Sequence, residues 1–369
     1  MDQALCVGLI SGTSMDGIDA VLADFAHRPT VLASRGTPYE PPLRARLEAV
    51  VRSGHATLDE LGELHVLVGR AFAAACNALL QSAGVTPDKV LAVGSHGQTV
   101  RHGADRPTPF TLQIGDPNTI AERTGISTVA DFRGRDVAAG GQGAPLLPGF
   151  HAAVLADPGE RRAVLNLGGI ANLTRLCPGE PVTGFDTGPA NCLLDAWYAL
   201  HGEGTHDPGG ALAAAGRVDE ALLATLAAEP YFARRAPKST GRELFTLDWL
   251  RRGAGARLNR LAAGDVQATL AELSAQTVAD ALVREIGAVD RLLCCGGGVH
   301  NADLMSRLAR RLPGVPIDST AAVGLDPDYV EAAGFAWLAW RTLRGGAGNL
   351  PAVTGAAGPR RLGGLFPAT

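Results

Sequence analysis

The stretch that decides the fold is Gly12-Thr13-Ser14-Met15-Asp16-Gly17-Ile18-Asp19, which comes just after the apolar run Ala4–Ile10. An apolar strand that enters a tight glycine turn exposes backbone N–H groups, and a concave set of such groups binds anions. Two further glycine turns follow apolar runs later in the chain, at 168–169 and at 296–298. Three such turns in one chain indicate a nucleotide that several loops contact.

The length and composition indicate a globular protein of two domains. The chain has 369 residues, of which 46% are hydrophobic, and this is enough for sizeable cores. The net charge is -4 with both signs dispersed, so we expect no nucleic-acid partner. No positively charged segment precedes the first apolar run, and no apolar run approaches the ~18 residues of a membrane span. We therefore expect a cytoplasmic protein without a membrane partner.

The six cysteines are predicted to be buried, reduced thiols. They lie mostly in apolar runs, at positions 6, 76, 177, 192, 294 and 295, and no CxxC pair is present. Scattered cysteines of this kind are typical of proteins in a reducing compartment. We expect no structural zinc site.

Hydrophobic periodicity and turn residues predict alternating strands and helices. Strands are expected at 4–10, 18–26, 30–36, 90–94, 111–114, 126–130, 163–167, 171–177, 182–186, 291–295 and 315–317. Helices are expected at 43–53, 57–83, 189–201, 266–286, 301–311 and 328–343. The segment 132–145 is interpreted as a loop near the domain crossover, and the tail from 345 as irregular.

The two halves of the chain share one plan, in which three strands with a glycine turn between the first two precede alternating helices and strands. This plan predicts an α/β protein with mixed sheets. The domains are expected at 1–130, together with the tail 345–369, and at 131–344. The dinucleotide fingerprint G-x-G-x-x-G and the P-loop G-x-x-x-x-G-K-[ST] are both absent, which argues against a Rossmann fold and a P-loop NTPase.

Eight short motifs occur in order along the chain and resemble one family. They are Gly-Thr-Ser-Met-Asp-Gly-Ile-Asp (12–19), Gly-Ser-His-Gly-Gln-Thr (94–99), Asp-Phe-Arg-x-Arg-Asp (131–136), Gly-Gly-Gln-Gly-Ala-Pro (140–145), Asn-Leu-Gly-Gly-Ile-Ala-Asn (166–172), Gly-Phe-Asp-Thr-Gly-Pro-Ala-Asn (184–191), Pro-Lys-Ser-Thr-Gly-Arg-Glu (237–243) and Cys-Gly-Gly-Gly-Val-His-Asn (295–301). Together they are similar to the anhydro-N-acetylmuramic acid kinases of bacterial cell-wall recycling.

This resemblance implies two actin-like (ribonuclease H-like) domains with mixed sheets that flank a nucleotide cleft. It also implies ATP and Mg²⁺ as cofactors, a small sugar substrate and, at the level of the family, a homodimer. The implied reaction uses ATP and water to convert a 1,6-anhydro sugar into N-acetylmuramic acid 6-phosphate and ADP.

Two carboxylates are the catalytic candidates under this resemblance. Asp186 ends a predicted strand before a helix, and we interpret it as the general base that activates water at C1. Its alternative role is a cap of that helix. Glu331 lies early in the last long helix, where the family pattern places a carboxylate near the attacking water; an acidic residue there also favours the helix dipole.

The three glycine turns are the candidate nucleotide loops. The resemblance makes the first turn and Gly168-Gly169 the phosphate loops and the last turn the adenosine loop, although hydroxyl and carboxyl side chains also serve ordinary turns. Asp16 is expected to hold Mg²⁺ through water. The candidate cofactor-binding residues are Gly12, Thr13, Ser14, Met15, Asp16, Gly17, Ile18, Asp19, Gly168, Gly169, Gly296, Gly297, Gly298 and Asn301.

The candidate sugar-binding residues are Ser14, His96, Arg133, Arg135 and Asp186. His96 is alternatively a hydrogen-bonded structural residue. One of the two arginines could bind the lactyl carboxylate of the sugar, because a guanidinium offers a planar fork, or could pair with Asp131 or Asp136. Lys238 is left open between a phosphate contact and a solvated loop charge.

The sequence also allows two alternative functions. One is a plain sugar or carboxylate kinase of the same superfamily, which needs only a hydroxyl acceptor. The other is a non-catalytic nucleotide-dependent sugar sensor or chaperone-like ATPase, which usually carries an extra binding domain.

Overall fold

The computed structural model describes residues 4–12, 14–241 and 244–368, and these form two compact units. The first unit comprises Met1–Val154 and Tyr329–Thr369, and the second comprises Leu155–Asp328. The division differs from the expected domain bounds at 131–154 and 329–344, both of which belong to the first unit. The reason is tertiary packing, since the helix that begins at Val330 lies against the first sheet.

The described part of the chain contains the predicted strands and the six predicted helices, together with eight further short helices and one further strand. The strands are β1 (Leu5–Ser11), β2 (Gly17–Asp24), β3 (Thr30–Pro38), β4 (Ala92–Gly103), β5 (Phe110–Ile114), β6 (Thr128–Ala130), β7 (Arg162–Leu167), β8 (Ile170–Leu176), β9 (Thr183–Pro189), β10 (Arg291–Cys295), β11 (Ile317–Ser319) and β12 (Gly364–Phe366). The helices are α1 (Pro41–Ser53), α2 (Leu58–Ala83), α3 (Pro117–Thr124), α4 (Gly134–Ala138), α5 (Pro148–Leu155), α6 (Asn191–His201), α7 (Ala211–Ala215), α8 (Glu220–Ala227), α9 (Pro230–Ala233), α10 (Leu247–Ala254), α11 (Ala263–Ala281), α12 (Ala302–Arg311), α13 (Val330–Leu343) and α14 (Pro351–Thr354).

Both units are built on a mixed sheet with the same strand order. The first sheet runs β12-β6-β4-β1-β2-β3, with β5 paired to β4, and the second runs β11-β10-β7-β8-β9. The strands β1, β2 and β3 pair antiparallel in the first sheet, as β7, β8 and β9 do in the second. The following strand of each unit, β4 or β10, pairs in parallel with β1 or β7. This order is the ribonuclease H-like arrangement, and the predicted fold class is confirmed.

Three local predictions were wrong. The strand expected at 90–94 continues to Gly103, because its second half pairs antiparallel with β5. The segment 132–145 contains the short helix α4, and the tail contributes α14 and the edge strand β12. Pairing partners distant in sequence decide the strands β4 and β12, and local patterns do not contain that information.

The helix α2 forms because Thr57 accepts a bond from the Glu60 N–H and Gly84 ends the helix in a left-handed conformation. Among the described residues, it is the one helix long and apolar enough to cross a membrane by length and composition. However, Leu64, Val68 and Phe72 are fully buried in the core of the first unit. Such burial is typical of a helix in the core of a globular unit.

Burial also determines the pKa of the cysteine thiols. Five of the cysteines are buried and Cys192 is half-buried. Burial raises the pKa of Cys6, Cys76 and Cys294 to about 12. These three thiols therefore stay protonated and unreactive at neutral pH.

Candidate active site

In the second unit, two of the predicted glycine turns lie side by side. They follow the parallel neighbours β7 and β10, whose carboxyl ends meet at one edge of the sheet. A Cβ on Gly298 would lie 2.5 Å from the Cβ of Leu167, and one on Gly296 would overlap the side-chain oxygen of Asn166. Only glycine therefore allows the last turn to pack this closely on the end of β7.

The turn at Gly168-Gly169 is fixed by the start of α6. The Asn191 N–H donates to the Gly168 carbonyl at 3.0 Å, and the Cys192 N–H donates to the Gly169 carbonyl at 3.1 Å. These helix amides are engaged within the protein. The N–H groups of the turn itself are thus the better candidates for a phosphate contact.

The last glycine turn has an open backbone position at Gly297, while the side chain of Asn301, which follows the turn, is engaged within the protein. A Cβ on Gly297 would meet nothing within 4 Å, so the backbone there is open to a ligand. The side-chain oxygen of Asn301 accepts a bond from the Leu304 N–H at 2.9 Å and caps α12. Asn301 therefore has a structural task beside its predicted cofactor role.

Asp186 lies on β9 at the same sheet edge, in a row of polar side chains. Asn172 on β8 pairs in register with both Asp186 and Asn166, so the three residues lie directly across neighbouring strands. Asp186 is buried, with 7% of its surface exposed. The two asparagines belong to quoted motifs, but local spacing did not single them out because their alignment depends on strand register.

The loop after α9 holds Asp186 in place from two sides. The Thr240 N–H donates to Oδ2 of Asp186 at 2.9 Å, and the Asp186 N–H donates to the Lys238 carbonyl at 3.1 Å. The Tyr231 hydroxyl donates to the Asp186 carbonyl at 2.9 Å. Asp186 does not cap the following helix, since the cap position of α6 is Ala190. The alternative role considered for Asp186 is therefore not the one observed.

Lys238 is buried beneath this loop, with 3% of its surface exposed, and is no solvated loop charge. Its ammonium donates to the carbonyls of Tyr231 and Phe232 at 3.3 and 3.4 Å and lies 4.6 Å from the Tyr231 ring centroid. Burial, with a smaller effect from the positive charge of Arg284, lowers the pKa of Lys238 to about 8. These contacts tie α9 to the loop that holds Asp186.

The lowered pKa of Lys238 predicts a pH dependence of stability. Between about pH 8 and pH 10.5 the unfolded chain binds this proton while the folded chain has lost it, so stability should rise with pH across that window. Denaturant titrations at several pH values should show the free energy of unfolding of the wild type gaining about 2 kcal/mol relative to Lys238→Met. An identical pH slope in the two proteins would contradict the shift.

In the first unit, Gln98 holds the first glycine turn. Its side-chain oxygen accepts a bond from the Ser11 hydroxyl at 2.6 Å, and its amide donates to the Gly12 carbonyl at 3.2 Å. At the tip, the Ser14 hydroxyl donates to Oδ1 of the exposed Asp16 at 2.6 Å. Thr13 lies outside the described residues.

The predicted nucleotide loop is partly a strand. Gly17, Ile18 and Asp19 belong to β2, and the side chains of Ile18 and Met15 are buried in the hydrophobic core. Met15 reaches the core with a left-handed backbone, at a φ of 54°. Only the main chain of Met15 and Ile18 can serve a ligand, because their side chains pack inward.

The structure brings His96 and Arg133 together. Nε of Arg133 donates to Nε2 of His96 at 2.9 Å, and Nδ1 of His96 lies 2.9 Å from the Gly97 carbonyl. Burial, and then the positive charge of Arg133, hold the pKa of His96 well below its usual range. The ring is therefore neutral, with its proton on Nδ1, and both ring nitrogens are engaged inside the first unit.

Arg133 and Arg135 have different surroundings. Nη1 of Arg133 also donates to the Gly143 carbonyl at 2.7 Å. Arg135 instead lines a polar groove of about 630 Å³ together with Arg360 and Arg361 of the tail. The tail arginines could not be associated with Arg135 from sequence, because more than two hundred positions separate them.

Glu331 lies in the first turn of α13 and is half-buried. The helix is therefore where the sequence predicted it, but it belongs to the first unit. Its place in the first turn agrees with the favourable helix dipole, and its catalytic role stays a prediction.

A fully protein-built metal cage is not found in the part of the chain that the structure describes, where no three His, Cys, Asp or Glu side chains cluster. Mg²⁺ seldom needs one, since it keeps several waters and is usually held by one or two carboxylates and the phosphates of the nucleotide. The exposed carboxylate of Asp16, beside the first glycine turn, fits this mode of binding.

Known proteins of one family match the chain over its full length. The family model for anhydro-N-acetylmuramic acid kinase matches residues 4–368. The anhydro-N-acetylmuramic acid kinase of Xanthomonas axonopodis pv. citri is 56% identical over 100% of this chain and 99% of its own length. That of Xanthomonas oryzae pv. oryzae is 55% identical, over 100% and 98%.

Solved structures resemble the chain more distantly. The component A of (R)-2-hydroxyglutaryl-CoA dehydratase from Acidaminococcus fermentans is 13% identical, with a TM-score of 0.47 over 92% of this chain and 99% of that one. The full-length sequence matches and the eight ordered motifs lead to one conclusion: this chain belongs to the anhydro-N-acetylmuramic acid kinase family.

Proposed function

We propose that this protein is an ATP-dependent kinase that opens the internal bridge of 1,6-anhydro-N-acetylmuramic acid with water and phosphorylates the freed O6. The products are N-acetylmuramic acid 6-phosphate and ADP, and the role is the recycling of cell-wall sugars. The observation that carries this proposal is Asp186, a buried carboxylate fixed at the sheet edge that also presents two glycine turns. Family membership supports the choice of substrate.

Asp186 acts as the general base. The bridge is an internal acetal, so its opening needs water at C1 and a group that captures the departing O6. Asp186 accepts the proton of the water, and O6 attacks the γ-phosphorus of ATP, which replaces the proton that an acid would supply in an inverting glycosidase. Glu331 is the second carboxylate, near the attacking water.

The glycine turns bind the nucleotide in this proposal. Main-chain N–H groups at 12–19 and 168–169 contact phosphate oxygens, and the turn at 296–298 contacts the adenosine. Asp16 would hold Mg²⁺ through water, and the bound ion would neutralise charge on the phosphates.

The sugar contacts are assigned by availability of donors. Ser14 is exposed at the tip of the first turn, and its hydroxyl oxygen can accept a bond from a ligand hydroxyl while it donates to Asp16. Arg135 is the better candidate for the lactyl carboxylate, because Nε and Nη1 of Arg133 are used within the protein while Arg135 lines an open groove. We propose that Arg133 contacts another oxygen of the sugar and that His96 orients Arg133 for this contact, since both ring nitrogens of His96 are engaged within the protein.

An isotope experiment tests the reaction class. With ATP in ¹⁸O-labelled water, mass spectrometry should find one labelled oxygen at C1 and an unlabelled phosphate at O6. With ADP or without nucleotide, the anhydro sugar should remain intact, since no group then captures O6. Steady release of unphosphorylated N-acetylmuramic acid under those conditions would contradict the coupling, and phosphorylation of the reducing sugar at an equal rate would favour a plain kinase.

The partner is a small sugar, and neither a nucleic acid nor a membrane is expected to bind. A cytoplasmic location and a homodimer are proposed from the family. Light scattering of the purified protein would test the dimer directly.

A further inference from the structure

We propose that Asp136 is a positioning residue, which through the glycine loop at 140–145 fixes the Arg133–His96 pair for binding of the sugar. The proposal rests on the role assigned above to that pair. It adds a buried carboxylate and two tail residues to the set on which the reaction depends.

Asp136 is fully buried and its carboxylate is surrounded by donors. Oδ2 accepts a bond from the Gly143 N–H at 2.8 Å. Oδ1 accepts bonds from Nδ2 of Asn349 at 2.6 Å and from the Thr354 hydroxyl at 2.8 Å. The exposed fraction of the residue is 0%. A buried carboxylate with three donors is costly to leave partly paired, so its donors are held firmly.

Gly143 links Asp136 to Arg133 through its two backbone hydrogen bonds. The N–H of Gly143 is bonded to Asp136, and the carbonyl of Gly143 accepts Nη1 of Arg133 at 2.7 Å. Arg133 in turn donates Nε to His96. The contacts thus form one continuous series from the tail, through Asp136 and Gly143, to the guanidinium.

Gly143 is the residue of this loop that contacts both Asp136 and Arg133, while the neighbouring Gln142 has separate ties: its N–H donates to the Thr354 carbonyl at 2.7 Å and its side-chain amide donates to Oδ1 of Asp105 at 3.0 Å. Gly140 and Gly143 both have positive φ angles, 82° and 67°, so the main chain there is intrinsically permissive. The backbone carbonyl of Asp136 accepts the Gly141 N–H at 2.9 Å, which adds a second tie from the same residue. Asp136 therefore helps to fix where the Gly143 carbonyl points, and that carbonyl, together with Nε2 of His96, holds the Arg133 guanidinium.

A matched pair of threonine variants tests the proposal. Thr354→Val removes one donor to Asp136, whereas Thr342→Val removes a buried hydroxyl bond from α13 to the Leu362 carbonyl in the same tail. Both should lower the melting temperature to a similar extent. Only Thr354→Val should raise KM for the anhydro sugar, by about fivefold, the value of one net hydrogen bond, with kcat nearly unchanged.

A spectroscopic readout separates this proposal from the proposed function. In ¹⁵N-histidine-labelled apo protein, with the signal of His96 assigned through His96→Gln, the Thr354→Val and Asp136→Asn variants should shift the Nε2 resonance, and Thr342→Val should not. An altered resonance with unchanged KM would leave the positioning intact and overturn the role of the pair in sugar binding. Folded Thr354→Val and Asp136→Asn proteins with a wild-type resonance would overturn the positioning itself.

Discussion

Asp186→Asn is expected to lower kcat by ~10²–10⁴-fold, the usual loss when a general base is removed. The amide keeps the shape of the side chain and its oxygen can still accept the Thr240 N–H, so the fold and the affinity for the sugar should change little. It cannot accept the proton of the attacking water at neutral pH. Steady-state kinetics would measure kcat, melting curves the stability of the fold, and sugar titrations the affinity.

Asp207→Asn provides the matched control for this experiment. Asp207 is buried to a similar degree, with 6% exposed, and its carboxylate accepts the N–H groups of Leu212 and Ala213 at 2.9 and 3.0 Å. Its substitution should lower the melting temperature and leave kcat within about twofold of the wild type. If Asp186→Asn folds, binds the sugar and turns over within about tenfold of the wild type, Asp186 is not the base and Glu331 becomes the leading candidate.

Gly8→Ala is expected to destabilise the first unit by about 3 kcal/mol, at the upper end of the cost of overpacking. A Cβ at this position would overlap the Ala332 carbonyl oxygen and lie 2.6 Å from the Ala336 nitrogen. Both atoms belong to the main chain of α13, so the methyl group is accommodated only if the whole helix moves away from β1. Gly94 on β4 faces the Phe335 carbonyl in the same way.

Gly62→Ala controls for the loss of a glycine as such. Gly62 lies in α2 and a Cβ there would meet nothing within 4 Å, so alanine should stabilise the helix by about 0.5–1 kcal/mol. Denaturant unfolding would measure both variants. Equal stabilities of Gly8→Ala and the wild type would refute the close approach of α13, and a Gly8→Ala protein that cannot be recovered folded would agree with it.

Much of the fold could be read from local patterns. The strands β1, β7 and β10 were predicted within one residue because they are apolar runs that end at glycine turns. The glycine turn between the first two strands followed from the same signal, and the structure pairs these strands as an antiparallel hairpin. Asp186 stood out because it ends the strand predicted at 182–186 within a distinctive motif; the observed strand β9 continues to Pro189, and the full-length family match confirmed the resemblance.

Other features depend on contacts between distant segments. The helix α13 belongs to the first unit because Gly8 and Gly94 let it approach the sheet, and β12 exists because it pairs with β6. The hydrophobic pattern of α13 or β12 does not show which segment it packs against, since the same pattern would suit any other partner.

The sequence by itself determined the family, the α/β class and the glycine turns with their acidic residues, because these are properties of short contiguous segments. Only the tertiary structure decided the surroundings of individual side chains: the burial of Lys238, the bond from Arg133 to His96, and the support of the first turn by Gln98. The physical reason is that desolvation and hydrogen-bond geometry are set by whichever atoms lie within a few ångströms, and for these groups those atoms come from other parts of the chain.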